Sequence, residues 1–270
     1  MRFELHCHST CSDGTEHPDQ VAARAAMRGV AVFALTDHDT CAGSAVTVPG
    51  ARVLRAVEMS CDHGGRTIHV LAYDAGTRAD GWAALEARLD AVRTARINRL
   101  RVMAAKLEHR GVRIDIDALL AAAAERAVGR PDLARAMVAS GAATSMKDAF
   151  ARHLYDGGPV DVPHHALPIT EALALGTAAG AAMSLAHPAT YDELSVHIVK
   201  TYRDAGLTGI EAFAGGYDAR ERARWLSVAD KLGLTATGGS DWHGPDEATF
   251  QPGVDLPDDR SAALLAWLGL

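Results

Sequence analysis

Short apolar segments that end at a histidine or an acid recur along this chain, and this pattern constrains its fold more than any other feature. Residues 30–35 run directly into Thr36-Asp37-His38, and residues 181–185 end just before His187. Segments with helical spacing of apolar residues, such as residues 18–29, lie between them. Strands that alternate with helices predict parallel pairing, which brings polar residues at strand ends to one face. We therefore predict an α/β barrel with its site on that face.

Residues 76–165 interrupt this alternation. They are rich in alanine, arginine and leucine, have helical spacing and contain no clear strand. An arginine-rich helix at residues 88–110 is most simply a solvated face with acidic partners, and a cap facing an anionic substrate is the alternative. We predict that residues 1–75 and 166–270 form the barrel and that residues 76–165 are an inserted helical subdomain.

Composition argues against several kinds of protein. The net charge of -7 disfavours a broad basic surface for duplex nucleic acid, because such binding depends on cationic groups that displace counterions. No apolar stretch reaches the roughly 18 residues of a membrane span, and the first residues lack the pattern of a signal peptide. We therefore expect a cytoplasmic protein without a membrane partner, while monomer and homo-oligomer both stay open.

Histidines and acids near the start of the chain form a candidate metal site. His6-Cys7-His8 on a strand would point both imidazoles to one face, where they could bind one ion together. Asp13 lies in a glycine-containing turn that would return its carboxylate toward these histidines, although an Asx turn is the simpler interpretation of it alone. His38 follows a buried strand, and Glu58 is expected to end another. A carboxylate can bridge two ions roughly 3.5–4 Å apart.

Later motifs complete the set. His69 lies among apolar residues, where a hydrogen-bonded core histidine is the alternative, and His187 precedes a proline. Asp241 and His243 form a DxH motif after two glycines that let the backbone approach a ligand closely. Nitrogen and oxygen ligands without thiolate suit Mn, Fe or Zn. Clustered divalent ions lower the pKa of a bridging water, so that hydroxide can attack phosphorus. The sequence therefore predicts a metal-dependent phosphoesterase.

These motifs together resemble the PHP (polymerase and histidinol phosphatase) superfamily of metal-dependent phosphoesterases. The resemblance runs through His6-Cys7-His8, Thr36-Asp37-His38, Glu58, His69, Ala186-His187-Pro188 and Gly239-Ser240-Asp241-Trp242-His243. It implies a distorted (β/α)7 barrel with a site for two or three divalent ions. The implied ligand sets are His6, His8, Glu58 and Asp241 for one ion, Glu58, His69 and His187 for a second, and Asp13, His38 and His243 for a third.

The inserted stretch resembles the branch of this family that acts on nucleotides and RNA 5′ ends, in which an insertion caps the site. The resemblance suggests Arg130 as a phosphate clamp, because a guanidinium binds phosphate in a bidentate manner, with a surface salt bridge as the alternative. It suggests Arg135 as a second phosphate contact. His164 is a candidate substrate contact, and His164 or its neighbour His165 is a candidate general acid for the leaving oxygen. Asp37 is assigned to the catalytic set because it could orient a metal ligand, or it could cap a turn.

The chain departs from this branch at three positions where members often carry histidine, lysine or arginine: Asp132, Gly158 and Thr190. We predict hydrolysis of a phosphomonoester, of a nucleoside monophosphate, a 3′,5′-bisphosphate or the 5′ end of a short RNA. Within the enzymes, the alternatives are a diesterase or phosphatase acting on a small cyclic or sugar phosphate, and a histidinol phosphatase. A non-catalytic metal-binding domain is disfavoured, since every expected ligand is present.

Overall fold

The computed structural model describes residues 1–76, 79–123, 126–163, 166–245 and 250–270. These residues form strands β1 (Arg2–Glu4), β2 (Val32–Ala34), β3 (Arg52–Leu54), β4 (Ala56–His63), β5 (Arg66–Asp74), β6 (Leu167–Pro168), β7 (Ala181–Leu185), β8 (Leu207–Ala214), β9 (Thr235–Gly239) and β10 (Val254–Asp255). They also form helices α1 (Pro18–Met27), α2 (Ala79–Glu108), α3 (Ile116–Ala123), α4 (Arg130–Ala139), α5 (Met146–Ala149), α6 (Ile169–Ala179), α7 (Glu193–Tyr202), α8 (Ala219–Leu232) and α9 (Asp258–Trp267), and a π-helix at Phe150–Leu154. Among these helices, none combines the length and the apolar character needed to cross a bilayer.

The strands form two sheets, with the orders β10-β1-β2-β3 and β6-β4-β5-β7-β8-β9. Pairing is parallel from β1 to β3 and from β7 to β9. Isolated bridges between Cys7 and Trp242 and between His38 and Glu58 link the two sheets. The α/β class is confirmed, and closure into a barrel stays a prediction.

The prediction of uniformly parallel pairing is wrong for the second sheet. β4 and β5 form an antiparallel hairpin, and β5 is also antiparallel to β7. Gly64 and Gly65 both have positive φ, at 61° and 85°, between the paired residues His63 and Arg66. Two residues with positive φ make the tight turn that suits the twist of a hairpin. This glycine pair therefore indicates a hairpin, although the strand–helix alternation favoured parallel pairing. Glu58 consequently lies within β4 and not at the end of a strand.

Local sequence determines where several helices begin and end. The Asp218 side chain accepts hydrogen bonds from two backbone amides in the first turn of α8, which satisfies donors that a helix start leaves free. The same helix ends at Gly233, whose φ is 64°, a conformation that glycine adopts without steric cost. These ends place the connections from β8 to α8 and from α8 to β9.

The chain has separate apolar clusters around its sheets and within its insertion. The main cluster surrounds β4 to β9 and includes Trp82, Leu85 and Leu89 from the first half of α2. The second half of α2 contributes Leu100 and other residues to a cluster formed with α3 to α5. Among the described residues from 79 to 163, no strand occurs. α2 therefore attaches a helical layer to the sheets, and the predicted domain boundaries stay a prediction.

Candidate metal centre

Glu58 lies at the centre of a cluster of imidazoles. Its side chain is only 1% exposed. Nitrogens of five histidines lie within 3.4 Å of its carboxylate: His6 Nε2 at 3.4 Å, His69 Nδ1 at 3.0 Å and His187 Nε2 at 3.2 Å face Oε1, and His8 Nε2 at 3.2 Å and His38 Nδ1 at 3.0 Å face Oε2. The two oxygens therefore face different sets of histidines, an arrangement in which one carboxylate can serve two ions.

Asp241 completes the first expected ligand set. Its Oδ1 lies 3.3 Å from both His6 Nε2 and His8 Nε2. Its backbone amide donates to the His6 carbonyl at 2.7 Å, and its φ of 54° is unusual for a residue other than glycine. The preceding Gly239 packs so closely that a Cβ there would lie 2.3 Å from His6 N. Glycine is thus required for the two chain segments to meet.

Asp13 and two histidines form another group, as the resemblance implied. Asp13 Oδ1 is 3.4 Å from His243 Nε2, and Asp13 Oδ2 is 3.6 Å from His38 Nε2. His8 also belongs here, because its Nδ1 lies 3.6 Å from Asp13 Oδ1. His8 therefore lies between this group and the Glu58 group, with one ring nitrogen facing each. The remaining expected pair also meets, since His69 Nδ1 and His187 Nε2 are 3.2 Å apart beside Glu58.

The charges of this cluster favour a cation. Burial alone would raise the pKa of Glu58, but the neighbouring His38, His69 and His6 outweigh it and hold that pKa well below its usual range. Burial would likewise lower the pKa of His8, yet the carboxylates of Asp241 and Glu58 beside its Nε2 raise it to about 10. The carboxylates thus stabilise positive charge at this place strongly enough to overcome desolvation.

Burial instead lowers the pKa of His38 well below its usual value, although Glu58 and Asp13 oppose the change. Burial thus favours the neutral imidazole at His38, the form that a metal ligand requires.

Several buried ring nitrogens in the cluster point at no hydrogen-bond partner among the described residues. They include His6 Nε2, His8 Nε2 and His38 Nδ1, although each lies near a carboxylate oxygen. Unsatisfied polar atoms are costly in a protein interior, and a divalent ion between the nitrogens and the oxygens would satisfy them. The residues present therefore fit metal ions.

Two buried acids that the sequence motifs do not predict lie behind the cluster. Glu211 of β8 pairs through Oε1 with His6 Nδ1 at 3.1 Å, and its Oε2 accepts a hydrogen bond from the His187 amide at 2.7 Å. Glu4 accepts hydrogen bonds from the amides of His6 and Ser240. Burial raises the pKa of Glu4 to about 7 in spite of these hydrogen bonds. Glu211 lies between apolar residues of β8, and an acid in that setting is the signal that would have identified it.

The side chain of Ser12 lies between the Asp37 carboxylate and the His8 imidazole. Asp37 accepts hydrogen bonds from Ser9 N at 2.8 Å, Ser9 Oγ at 2.8 Å and Ser12 Oγ at 2.6 Å, and Ser12 Oγ lies 3.4 Å from His8 Nδ1. A Cβ on Gly43, in the 3-10 turn Ala42–Ser44, would lie 2.3 Å from Asp37 Oδ2, so a side chain there would displace this carboxylate. Asp37 therefore organises the turn that carries Asp13, and a catalytic contribution stays a prediction.

A cavity of about 760 Å³ opens onto the cluster. Asp13, His38, His69 and His187 line it, together with residues of the β4–β5 hairpin and of the insertion. Four arginines also line it: Arg66, Arg96, Arg99 and Arg130. Three of them pair with carboxylates, Arg96 with Asp39 at 2.7 Å, Arg99 with Asp161 at 3.1 Å and Arg130 with Asp156 at 2.5 Å.

Burial lowers the pKa of Arg99, and the nearby charge of Arg130 lowers it further. Cationic side chains thus converge beside a candidate metal cluster.

The other residues expected to contact substrate differ in their position relative to the cavity. Arg130 lines the cavity, but Arg135 is not among the described residues that line it, and its Nη2 donates to the Asp13 carbonyl at 2.5 Å. His164 lies outside the described residues. Of the three departures from the family branch, Thr190 lines the cavity, whereas Asp132 is buried in an ion pair with Arg126. Gly158 packs against Tyr155, where a Cβ would lie 2.9 Å from the ring.

Comparison with known proteins extends over nearly the whole chain. It is 34% identical over 266 residues to a 3',5'-nucleoside bisphosphate phosphatase of Chromobacterium violaceum, covering 94% of this chain and 92% of that protein. It is 32% identical to a 5'-3' exoribonuclease of Haemophilus influenzae, covering 90% of each. A solved structure described as a metal-dependent phosphoesterase from Bifidobacterium adolescentis superimposes with a TM-score of 0.83 at 28% identity, covering 98% of this chain and 96% of that one. No family model matches the chain.

Proposed function

The chain belongs to the PHP superfamily of metal-dependent phosphoesterases, and from this premise we propose that it hydrolyses a phosphomonoester of a nucleotide. The proposal rests mainly on one cavity, in which four arginines converge beside a cluster of metal-ligand side chains. The similarity to proteins named as a nucleoside bisphosphate phosphatase and an exoribonuclease favours a nucleoside monophosphate, a 3′,5′-bisphosphate or the 5′ end of a short RNA as the substrate.

Two or three divalent ions, of Mn, Fe or Zn, would bind in this cluster. The ligand sets are His6, His8, Glu58 and Asp241, then Glu58, His69 and His187, and then Asp13, His38 and His243. Such ions supply an activated water and neutralise the charge of the phosphoryl group. We also propose that the two bridged sheets form the distorted (β/α)7 barrel typical of this family, because the ligand sets draw on both sheets.

The insertion holds the substrate in our proposal. Arg130 exchanges its exposed partner Asp156 for the phosphate, which a guanidinium can bind through two parallel hydrogen bonds. Arg99 lines the same cavity and can share this charge, and the charge of Arg130 lowers its pKa. Phe150 and Val162 provide apolar surface along the same cavity, where a nucleoside can bind.

His164 is our proposal for the general acid that protonates the leaving oxygen, because imidazole exchanges protons near neutral pH. Asp37 assists indirectly, by orienting the turn that carries Asp13.

Phosphate release by the Mn-loaded protein tests the proposed function. The substrate panel contains nucleoside monophosphates, 3′,5′-bisphosphates, short 5′-phosphorylated RNAs, and histidinol, sugar and cyclic phosphates. We expect turnover of one nucleotide class, abolished in His38→Ala. It should be retained in Arg101→Ala, which breaks an exposed ion pair with Asp117 in the insertion; neither of these two residues lines the cavity. Turnover restricted to sugar, histidinol or cyclic phosphates, or none at all with metal bound, would refute a nucleotide monoesterase.

A further inference from the structure

The turn that carries Asp13 is bound along its backbone by the helical insertion. Three consecutive carbonyl oxygens accept hydrogen bonds from it: Cys11 O from Ala127 N at 3.0 Å, Ser12 O from Arg126 Nη1 at 2.9 Å and Asp13 O from Arg135 Nη2 at 2.5 Å. A run of three such bonds from one segment to another fixes the position and the orientation of the intervening peptide groups. The insertion therefore contacts the metal cluster through the backbone of a ligand residue, besides lining the cavity.

Asp132 aligns the two arginines that make these contacts. It is 4% exposed, and its Oδ1 accepts a hydrogen bond from Arg126 Nη2 at 2.6 Å and lies 3.6 Å from Arg135 Nη1. Its Oδ2 accepts a hydrogen bond from the Gly129 amide at 2.8 Å, which anchors the carboxylate at the start of α4. A buried carboxylate between two guanidiniums holds both in one geometry, and removing it would leave their charges without this partner.

The opposite side of the same turn is bound by Asp37, which follows β2 in the chain. Its carboxylate holds Ser9 and Ser12 through hydrogen bonds, and the Gly14 amide donates to Ser9 O at 3.0 Å. A Cβ on Gly14 would lie 2.7 Å from the His8 backbone, so the turn lies directly against a metal-ligand segment. Asp13 is thus held between contacts from Asp37 on one side and contacts from the insertion on the other.

We propose that Arg126, Asp132 and Arg135 are positioning residues that orient Asp13 for metal binding. The inference rests on the proposed function in one respect, namely that Asp13, His38 and His243 bind a divalent ion. The affinity for that ion then depends on the insertion, whereas the affinity for ions at Glu58 does not. This role also accounts for the acid at position 132, which does not line the cavity and forms an ion pair with Arg126.

Metal titration tests the proposal without any substrate. Chelator-treated protein is titrated with Mn²⁺, and the free ion is quantified by electron paramagnetic resonance. Asp13→Asn first identifies which binding step depends on Asp13. We expect Asp132→Ala and Asp132→Asn to weaken that same step by roughly 10–100-fold, the range for residues that orient metal ligands, and to leave the other steps within about twofold. Arg101→Ala, which breaks an exposed ion pair elsewhere in the insertion, is the matched control and should match the wild type.

Asp132→Asn keeps the shape of the side chain and guards against misfolding of the alanine variant, which circular dichroism would reveal. Unchanged affinity for every ion in folded Asp132→Asn would overturn the proposal. So would equal weakening of all steps, because that outcome indicates a general loss of order and not a local one. A protein that binds Mn²⁺ in this pattern but releases no phosphate from nucleotides would refute the proposed substrate and still support the positioning role.

Discussion

The two sides of the cavity hold their charged side chains in different ways. On the sheet side, His6, His8 and Glu58 are almost completely buried and are fixed by further buried partners such as Glu211. On the insertion side, the Arg130 side chain is 25% exposed and its partner Asp156 is 85% exposed. A buried, fixed cluster suits chemistry that tolerates little displacement, whereas exposed and exchangeable ion pairs suit recognition. Changes in the buried cluster should therefore abolish turnover, and changes at the cavity-lining arginines of the insertion should alter which substrates bind.

Glu58→Gln should give the largest effect and would define the sheet side. The substitution removes the charge that both sets of histidines face, so we expect bound Mn²⁺ to fall and kcat to drop roughly a thousandfold or more. Metal content and steady-state kinetics measure both. Glu171→Gln, at an exposed ion pair with Arg88, is the control and should behave as wild type. Normal kcat in Glu58→Gln would remove the basis of the comparison.

Glu211→Gln should give the next largest effect, through a residue that touches the cluster only from behind. Its carboxylate orients the His6 ring and holds the His187 backbone, and loss of such a contact costs roughly 10–100-fold in metal affinity or activity. Mn²⁺ affinity is the direct measurement. Activity restored to the wild-type level at saturating Mn²⁺ would confirm a role in binding metal, and a persistent loss of kcat would assign Glu211 a part in catalysis.

Arg130→Ala tests the insertion side. A charged hydrogen bond to phosphate contributes about 1.5–3 kcal/mol, so KM should rise roughly 10–100-fold while bound Mn²⁺ stays unchanged. Arg130→Lys should recover only part of the loss, because an ammonium cannot bind in a bidentate manner. A fall in metal content would contradict the separation of the two sides.

Arg66→Ala should give the smallest effect and sharpens the comparison at the rim of the cavity. Arg66 is exposed on the β4–β5 hairpin, where salt and water screen its charge. We expect kcat/KM to fall by less than about tenfold, with the difference from wild type shrinking as ionic strength rises. A loss that is insensitive to salt would instead indicate a direct, desolvated contact with the substrate.

The sequence was most informative where chemistry is local. His6, His8, Asp241 and His243 occur as closely spaced pairs beside glycines, and such motifs can be identified without knowledge of the tertiary structure. Glu211 has no such motif, and its link to His6 joins residues 205 positions apart. Spacing along one segment contains no information about a partner that far away.

The same limit applies to strand pairing and to the insertion. Strand–helix alternation predicted parallel pairing, but Gly64 and Gly65 turn the chain back between the paired residues His63 and Arg66. Arg135 was expected to contact phosphate because of its neighbours in sequence, yet in the structure its guanidinium reaches the Asp13 carbonyl. An arginine side chain has several rotatable bonds, so its direction depends on tertiary packing and not on its place in a motif.

The cluster also has a consequence for how the protein is made. Glu4, beside the first histidines, accepts one of its hydrogen bonds from the amide of Ser240, 236 residues later. At synthesis rates of about 5–20 residues per second, the early histidines wait about 10–50 s on the ribosome before Asp241 and His243 emerge. The helices of the insertion, whose apolar cluster is local in sequence, can pack well before then. A complete metal centre therefore forms only after His243 has been translated, and chains truncated before that residue cannot assemble it.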